Sequence, residues 1–250
     1  MRPPQIRFSI ARQAAWAPGL TTPEHWADWA RSPFAIGTGA DPAVRAMPPM
    51  LRRRAGLLGK MALEVAYQCL DGLREVPTVF CSRHGEVARA VELLSDLARA
   101  EPLSPTAFSM AVHNASAGLF SIARADRANH VALAAGAGTV EHAVIEACGL
   151  LADGAAQVLL VACDCPLPAP FTQFEDCAEQ AHAWAWLMTA AAADPIGLDW
   201  HTEREGEGER AAASSAGLPG GLDVLRFHLS GQSRFERVAA ARRWCWSRDV

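Results

Sequence analysis

The turn Gly136-Ala137-Gly138 stands at the start of an amphipathic helical run, directly after the apolar stretch His130-Val-Ala-Leu-Ala-Ala. A helix N-terminus presents unpaired N–H groups and the positive end of a dipole. That setting lowers a thiol's pKa and can hold a developing oxyanion. Here it carries only the methyl group of Ala137, so the surroundings of a nucleophile elbow lack a nucleophile. His113-Asn114 is a second pair with chemical potential. It falls in a helix-like stretch, where neighbouring side chains diverge by about 100°, so hydrogen bonding from helix to loop is the expected role. Ser82-Arg-His-Gly85 should form a turn after a strand, with no catalytic part for His84. Cys163-Asp-Cys165 has no second Cys or His pair at zinc-site spacing, so no metal is expected, and no cofactor either. The seven cysteines do not suggest a disulfide frame; Cys69 and Cys148 fall in helical runs and Cys81 and Cys163 in or beside apolar strand-like runs, so most read as buried small hydrophobes.

The elements that position these residues alternate between strand and helix. Strands are expected at Ile6–Ala11, Pro77–Cys81, 130–136 and Gln157–Cys163; Ala181–Ala192 reads as strand because Trp184 and Trp186 alternate with alanine. Helices are expected at Thr22–Ala30, with Pro23 in the first turn, then over Leu51–Leu73, Glu86–Arg99, Thr106–Arg124 and 138–152. The pattern implies an α/β fold with a largely parallel sheet covered on both faces. Residues 203–221 read as a low-complexity, mobile loop, Leu222–Leu229 as a strand and Arg242–Arg248 as a terminal helix. A length of 250 residues suits a single domain, and a net charge of −4 gives no basic footprint for nucleic acid. No apolar run approaches the roughly 20 residues of a membrane span, and the N-terminus lacks a secretory h-region. Cytoplasm is the expected compartment. Arg52-Arg53-Arg54 opens the expected 51–73 helix, where cations oppose the macrodipole, so a carboxylate or a partner should compensate.

The middle of the chain resembles a known family. Ser104-Pro105, Phe108, Asn114, Ala117-Gly118 and Ser121-Ile122 resemble the helix that leads into the nucleophile strand of β-ketoacyl synthases. Counted from Ser121, and again from Gly154, the family's catalytic cysteine falls on Ala137. Leu103–Gly118, Arg52–Glu64, Ser82–Glu86 and Val158–Pro168 are similar to the short, chain-length-factor-like branch of aryl polyene and xanthomonadin pathways. That branch tends to carry Ala-Gly-Glu where this chain has Ala135-Gly136-Ala137. The resemblance is best over residues 45–170.

The resemblance implies a thiolase-like fold, a mixed sheet covered by helices representing mainly the N-terminal half of a ketosynthase, in one ketosynthase-like domain. It implies a chain without the nucleophile and without the second-half histidines, and so no condensation chemistry. The implied role is a non-catalytic subunit that pairs with a full-length catalytic ketosynthase in type II fatty-acid or polyketide-like biosynthesis. Phe108, Met110, Ala111 and Val112 would line the distal end of the partner's acyl pocket, or simply pack in the core. Val131, Ala132, Leu133, Ala134 and Ala135, with His113 and Asn114, would lie at the dimer interface. Arg52, Arg53 and Arg54 would attract an acyl carrier protein, or be solvated. Two alternatives stay open: a homodimeric acyl-transferring enzyme with another nucleophile, and a carrier-protein docking scaffold.

Overall fold

The computed structural model describes residues 5–202 and 217–248. Its strands are β1 (Gln5–Trp16), β2 (Thr78–Cys81), β3 (His130–Leu133), β4 (Val158–Asp164), β5 (His182–Ala190), β6 (Ile196–Thr202), β7 (Arg234–Ala239) and β8 (Arg242–Arg248). They form one eight-stranded sheet in the order β3-β2-β4-β5-β1-β6-β8-β7. Parallel pairing is confined to β3-β2-β4; every other pair is antiparallel, so the sheet is mixed rather than largely parallel.

Among the described residues eight helices accompany the sheet: α1 (Pro23–Arg31), α2 (Pro49–Arg52), α3 (Leu57–Leu70), α4 (Val87–Ala98), α5 (Pro105–Ser109), α6 (Ala115–Arg124), α7 (Thr139–Ala152) and α8 (Gly220–Ser230). One face of the sheet packs on α3 and α6, burying Met61, Leu63, Phe80, Phe120 and Leu159. The other packs on α1, α7 and α8, burying Trp29, Val144, Trp184, Trp186, Leu225, Trp244 and Trp246. Each core side chain of this size stabilises by about 1.5–3 kcal/mol on burial.

The alternating Trp184 and Trp186 lie in β5 as expected, and Thr22 caps α1 by accepting from His25 N–H. Four expectations change. The 51–73 helix is two helices, because the chain is extended at Gly56, where a Cβ would stand 3.3 Å from Arg89 and 3.4 Å from Glu86. The 106–124 helix is broken between Met110 and Asn114, with Met110 turned into the core. Residues 222–229 lie in a helix ended by Gly231 at φ +67°, the left-handed geometry that favours glycine. A short apolar run does not by itself separate strand from helix. Residues 242–248 are a strand whose buried Trp244 and Trp246 keep the two-residue period. Within the expected 203–221 loop, Gly220 and Gly221 begin α8, and 203–216 lie outside the described residues.

The sheet's two edges differ in kind. Edge strand β7 carries Arg234 paired to Glu236 at 2.7 Å, a charged surface that discourages further strand addition. Edge strand β3 is short and apolar after His130. Its odd-numbered residues face β2: Thr78 N–H donates to the Asn129 carbonyl and Ser82 N–H to that of Leu133. Alternation then turns the backbone groups of His130 and Ala132 outward.

Candidate functional site

Between β3 and α7, residues 136–138 form a single 3-10 turn, with Gly136 at φ +56°. The turn is tied from both sides. The Thr139 hydroxyl donates to the Gly136 carbonyl at 2.7 Å and accepts from Ala135 N–H at 2.9 Å. His142 Nδ1 hydrogen-bonds the Gly138 carbonyl at 2.8 Å, and its ring lies edge-on to Trp244. Ala137 is half-buried against the core on the α7 face, and its carbonyl accepts from Arg237 at 3.1 Å. The same nitrogen of Arg237 donates to both oxygens of Glu141, at 2.8 and 3.0 Å. Glu141 is 0% exposed. The guanidinium lies flat on Gly220, where a Cβ would come within 2.5 Å of it. The nucleophile-equivalent position of the resemblance thus sits in a turn strapped by a buried ion pair to the C-terminal hairpin.

Asp223, in the first turn of α8, belongs to the same charge group. Burial pushes its carboxyl up to about 6; Arg237 and Arg226 oppose the shift, and Glu141 adds to it. A carboxyl whose folded pKa lies above its unfolded value favours folding below the unfolded value. That contribution is lost as pH rises through the folded one. Asp223 therefore weakens the fold between about pH 4 and 6, by about 3 kcal/mol at most for a shift of this size. Asp223→Asn should raise the unfolding midpoint in urea at pH 7, with the advantage gone at about pH 4. A pH-independent difference would contradict this account.

At the ends of β2 and β4, Asp164 accepts from the Ser82 hydroxyl at 2.9 Å and from Arg83 N–H at 2.8 Å. Ser82 accepts in turn from Gly85 N–H, which closes the expected turn. Arg83 grips Asp176 and His84 meets Glu179, so both fasten the 82–85 turn to the segment before β5. Burial drives the Asp164 carboxyl up, and the cross-strand His182 opposes it; burial drives the His182 imidazole down, and Asp164 opposes that. Burial likewise pushes the Cys81 and Cys163 thiols well up and that of Cys165 to about 12, so these thiols are poor sources of thiolate. Among the described residues no group of three His, Cys, Asp or Glu side chains could hold a metal ion.

The remaining sequence-predicted residues lie on α5, the break before α6, and β3 with the residues that follow it. Phe108 is 67% exposed and Val112 is exposed, whereas Ala111 is half-buried and Met110 buried. His113 and Asn114 are exposed on the break before α6, not inside the expected helix, so helical geometry does not set the angle between their side chains. The His113 ring occupies the space a Cβ at Gly85 would need, 2.6 Å from its Nδ1. Val131, Ala132, Leu133 and Ala135 are half-buried and Ala134 is exposed. Sequence reasoning missed Leu94, Leu97 and Ile122, which are also exposed. The signal was the helical stripe of α4, which ordinarily faces a core but has no buried residue here.

The arginines separate. Arg52 ends α2, where a cation suits the dipole, and donates to the Ala43 and Val44 carbonyls. Arg53 and Arg54 lie exposed in the following turn, and Arg53 extends along the exposed Met50. The cluster therefore does not open a long helix, and the expected conflict with a macrodipole does not arise.

The chain matches the family model described as β-ketoacyl synthase, N-terminal domain, over residues 26–247. No protein in a search of curated sequences matches it. Among solved structures it is similar to a chain of the ketosynthase ApeO in complex with its chain length factor ApeC, from Xenorhabdus doucetiae. The identity is 27% and the TM-score 0.84, covering 97% of this chain and 100% of that one. A chain of the ishigamide ketosynthase/chain length factor superposes at TM-score 0.72 and 13% identity, covering 98% and 99%. A chain of AntDE:AntF, a type II polyketide synthase acyl-carrier protein in complex with its hexaketide-bound ketosynthase, does so at 0.69 and 12%, again covering 98% and 99%. At those identities the last two show the fold alone. The thiolase-like sheet and the family match agree: this chain belongs to the β-ketoacyl synthase N-terminal domain family.

Proposed function

We propose that this chain is a non-catalytic, chain-length-factor-like subunit. It pairs with a full-length catalytic ketosynthase and shapes its acyl pocket in a type II, aryl-polyene-like biosynthetic system in the cytoplasm. The observation that carries the reading is the open, mostly apolar β3 edge; the exposed apolar side chains of Phe108, Val112 and Ile122 add uncovered apolar surface. An apolar edge of this kind calls for a partner strand. The resemblance to a ketosynthase–chain length factor complex over the whole length of the matched chain supports it. Ala137 and the up-shifted thiols speak against acyl transfer on this chain, the main alternative. Val131–Ala135, His113 and Asn114 form the interface in this reading, and Phe108, Met110, Ala111 and Val112 bound the acyl pocket. Arg53 and Arg54 steer an acidic carrier protein, with Arg52 holding the loop beneath them. The carrier-protein scaffold reading shares that last feature alone.

Co-expression with a ketosynthase of the same system should yield a one-to-one complex in which an acyl-thioester probe labels the ketosynthase alone. Labelling of this chain at Cys163 or Cys165, with turnover, would replace the reading by the enzyme alternative. Among the described residues no helix is long and apolar enough to cross a membrane.

A further inference from the structure

From Pro42 to Leu63 the chain carries five cations, Arg45, Arg52, Arg53, Arg54 and Lys60, and no carboxylate, although its net charge is −4. Folding gathers most of them around one knuckle. Arg52 reaches back to the Ala43 and Val44 carbonyls at 3.1 and 3.4 Å, which brings the loop bearing Arg45 beside the end of α2. Val44 N–H donates to Glu64 at 2.6 Å, so that loop is held from both sides. Lys60 pairs with Asp41 at 2.6 Å. Arg45, Arg53 and Arg54 stay exposed, with no carboxylate partner among the described residues.

The tip of the knuckle is Pro48-Pro49-Met50, all three exposed. Met50 is 72% exposed, the most of any large apolar side chain among the described residues, and the Arg53 guanidinium lies 4.0 Å from its sulfur. The backbone of the tip has few polar groups left to satisfy. Pro48 and Pro49 have no N–H. The Pro48 carbonyl accepts from Leu51 and Arg52 N–H, and the Pro49 carbonyl from Arg53 N–H.

We infer that this knuckle docks on an anionic phospholipid surface, with Met50 entering the headgroup region and the arginines meeting lipid phosphates. An acidic protein would use the cations alone. A protruding apolar side chain on a tip whose carbonyls are already bonded suits a bilayer interface, where a stripped N–H or C=O group finds little water. The arginines suit its rim, because the apolar stem can lie along the acyl boundary while the charged head stays at the phosphates. The docking is independent of the pairing reading, although Arg53 and Arg54 also serve the carrier-protein steering proposed there. The two anionic partners compete for them.

Co-sedimentation of the purified chain with vesicles of phosphatidylcholine, with and without an equal part of phosphatidylglycerol, tests the docking. Binding is expected to the mixed vesicles alone. Changing Arg53 and Arg54 together to alanine should weaken it about 25-fold, since each basic residue at an anionic surface contributes about fivefold. Met50→Ala should weaken it at least about threefold, and Met50→Trp should strengthen it by a similar factor. Met50 lies outside the core, so neither change disturbs folding. No binding to the mixed vesicles, or binding indifferent to both Met50 changes, overturns the inference. A chain that ignores the vesicles but binds an acyl carrier protein keeps the steering reading and loses this one. Vesicle binding that responds to Met50, by a chain that ignores the carrier protein, does the reverse.

Discussion

Arg237→Ala should be the most destabilising single substitution on the polar side of this fold. Truncation leaves Glu141 fully buried with no cation, and removes the donor to the Ala137 carbonyl. Breaking a buried pair from one side costs about 3–5 kcal/mol, because the orphaned charge remains desolvated. For a chain of this length that corresponds to a fall in Tm of about 6–20 °C, measurable by circular dichroism. The double change Arg237→Met with Glu141→Leu should recover most of the loss, since two apolar residues of similar volume remove both charges together. Equal destabilisation by the single and double variants would show that the strap acts through shape and not through charge. The consequence reaches past stability. The 136–138 turn directly follows β3, so loosening it should also reduce association with the ketosynthase.

The second large effect concerns the edge itself. Ala132 turns its backbone N–H away from β2, because its odd-numbered neighbours make the bonds to that strand. Ala132→Pro therefore removes an outward donor without breaking the internal ladder, and proline is tolerated on an edge strand. Strands pair at about 4.8 Å, so the ring also blocks close approach of an incoming backbone. Ketosynthase binding should weaken by at least about 100-fold, with the Tm of the isolated chain nearly unchanged. Ala132→Val keeps the N–H and should bind normally. A proline variant that still forms the complex at parental affinity would place the interface elsewhere.

What the chain discloses before folding depends on the range of the interactions. Much of the first two thirds of the chain is governed by local signals, such as Thr22-Pro23 opening α1 and the continuous apolar run of β4, and these could be read directly. Ser104 likewise caps α5 by accepting from Ala107 N–H. The C-terminal third is governed by packing. Leu222, Val224, Leu225 and Phe227 suit a strand or a helix equally, and it is contact with α1 and α7 that selects the helix. β8 shows the reverse: Trp244 and Trp246 alternate as strand residues do, but the surrounding arginines masked the period. The strap from Arg237 to Glu141 spans nearly a hundred positions, and no spacing rule joins residues so far apart. The exposed stripe on α4 shows the limit from the other side. A hydrophobic period says that a face will be covered, and leaves open whether this chain or another covers it.

The contrast between the two sheet edges has a consequence for stoichiometry. A sheet that could extend from both margins would join head to tail and polymerise. Here one margin carries the Arg234–Glu236 pair, which discourages a further strand, and the other is open. Among the described residues β3 is the open margin, so in the pairing proposed above a strand docked on β3 uses it up. Growth terminates at two sheets, and a finite pair is the natural end point of assembly.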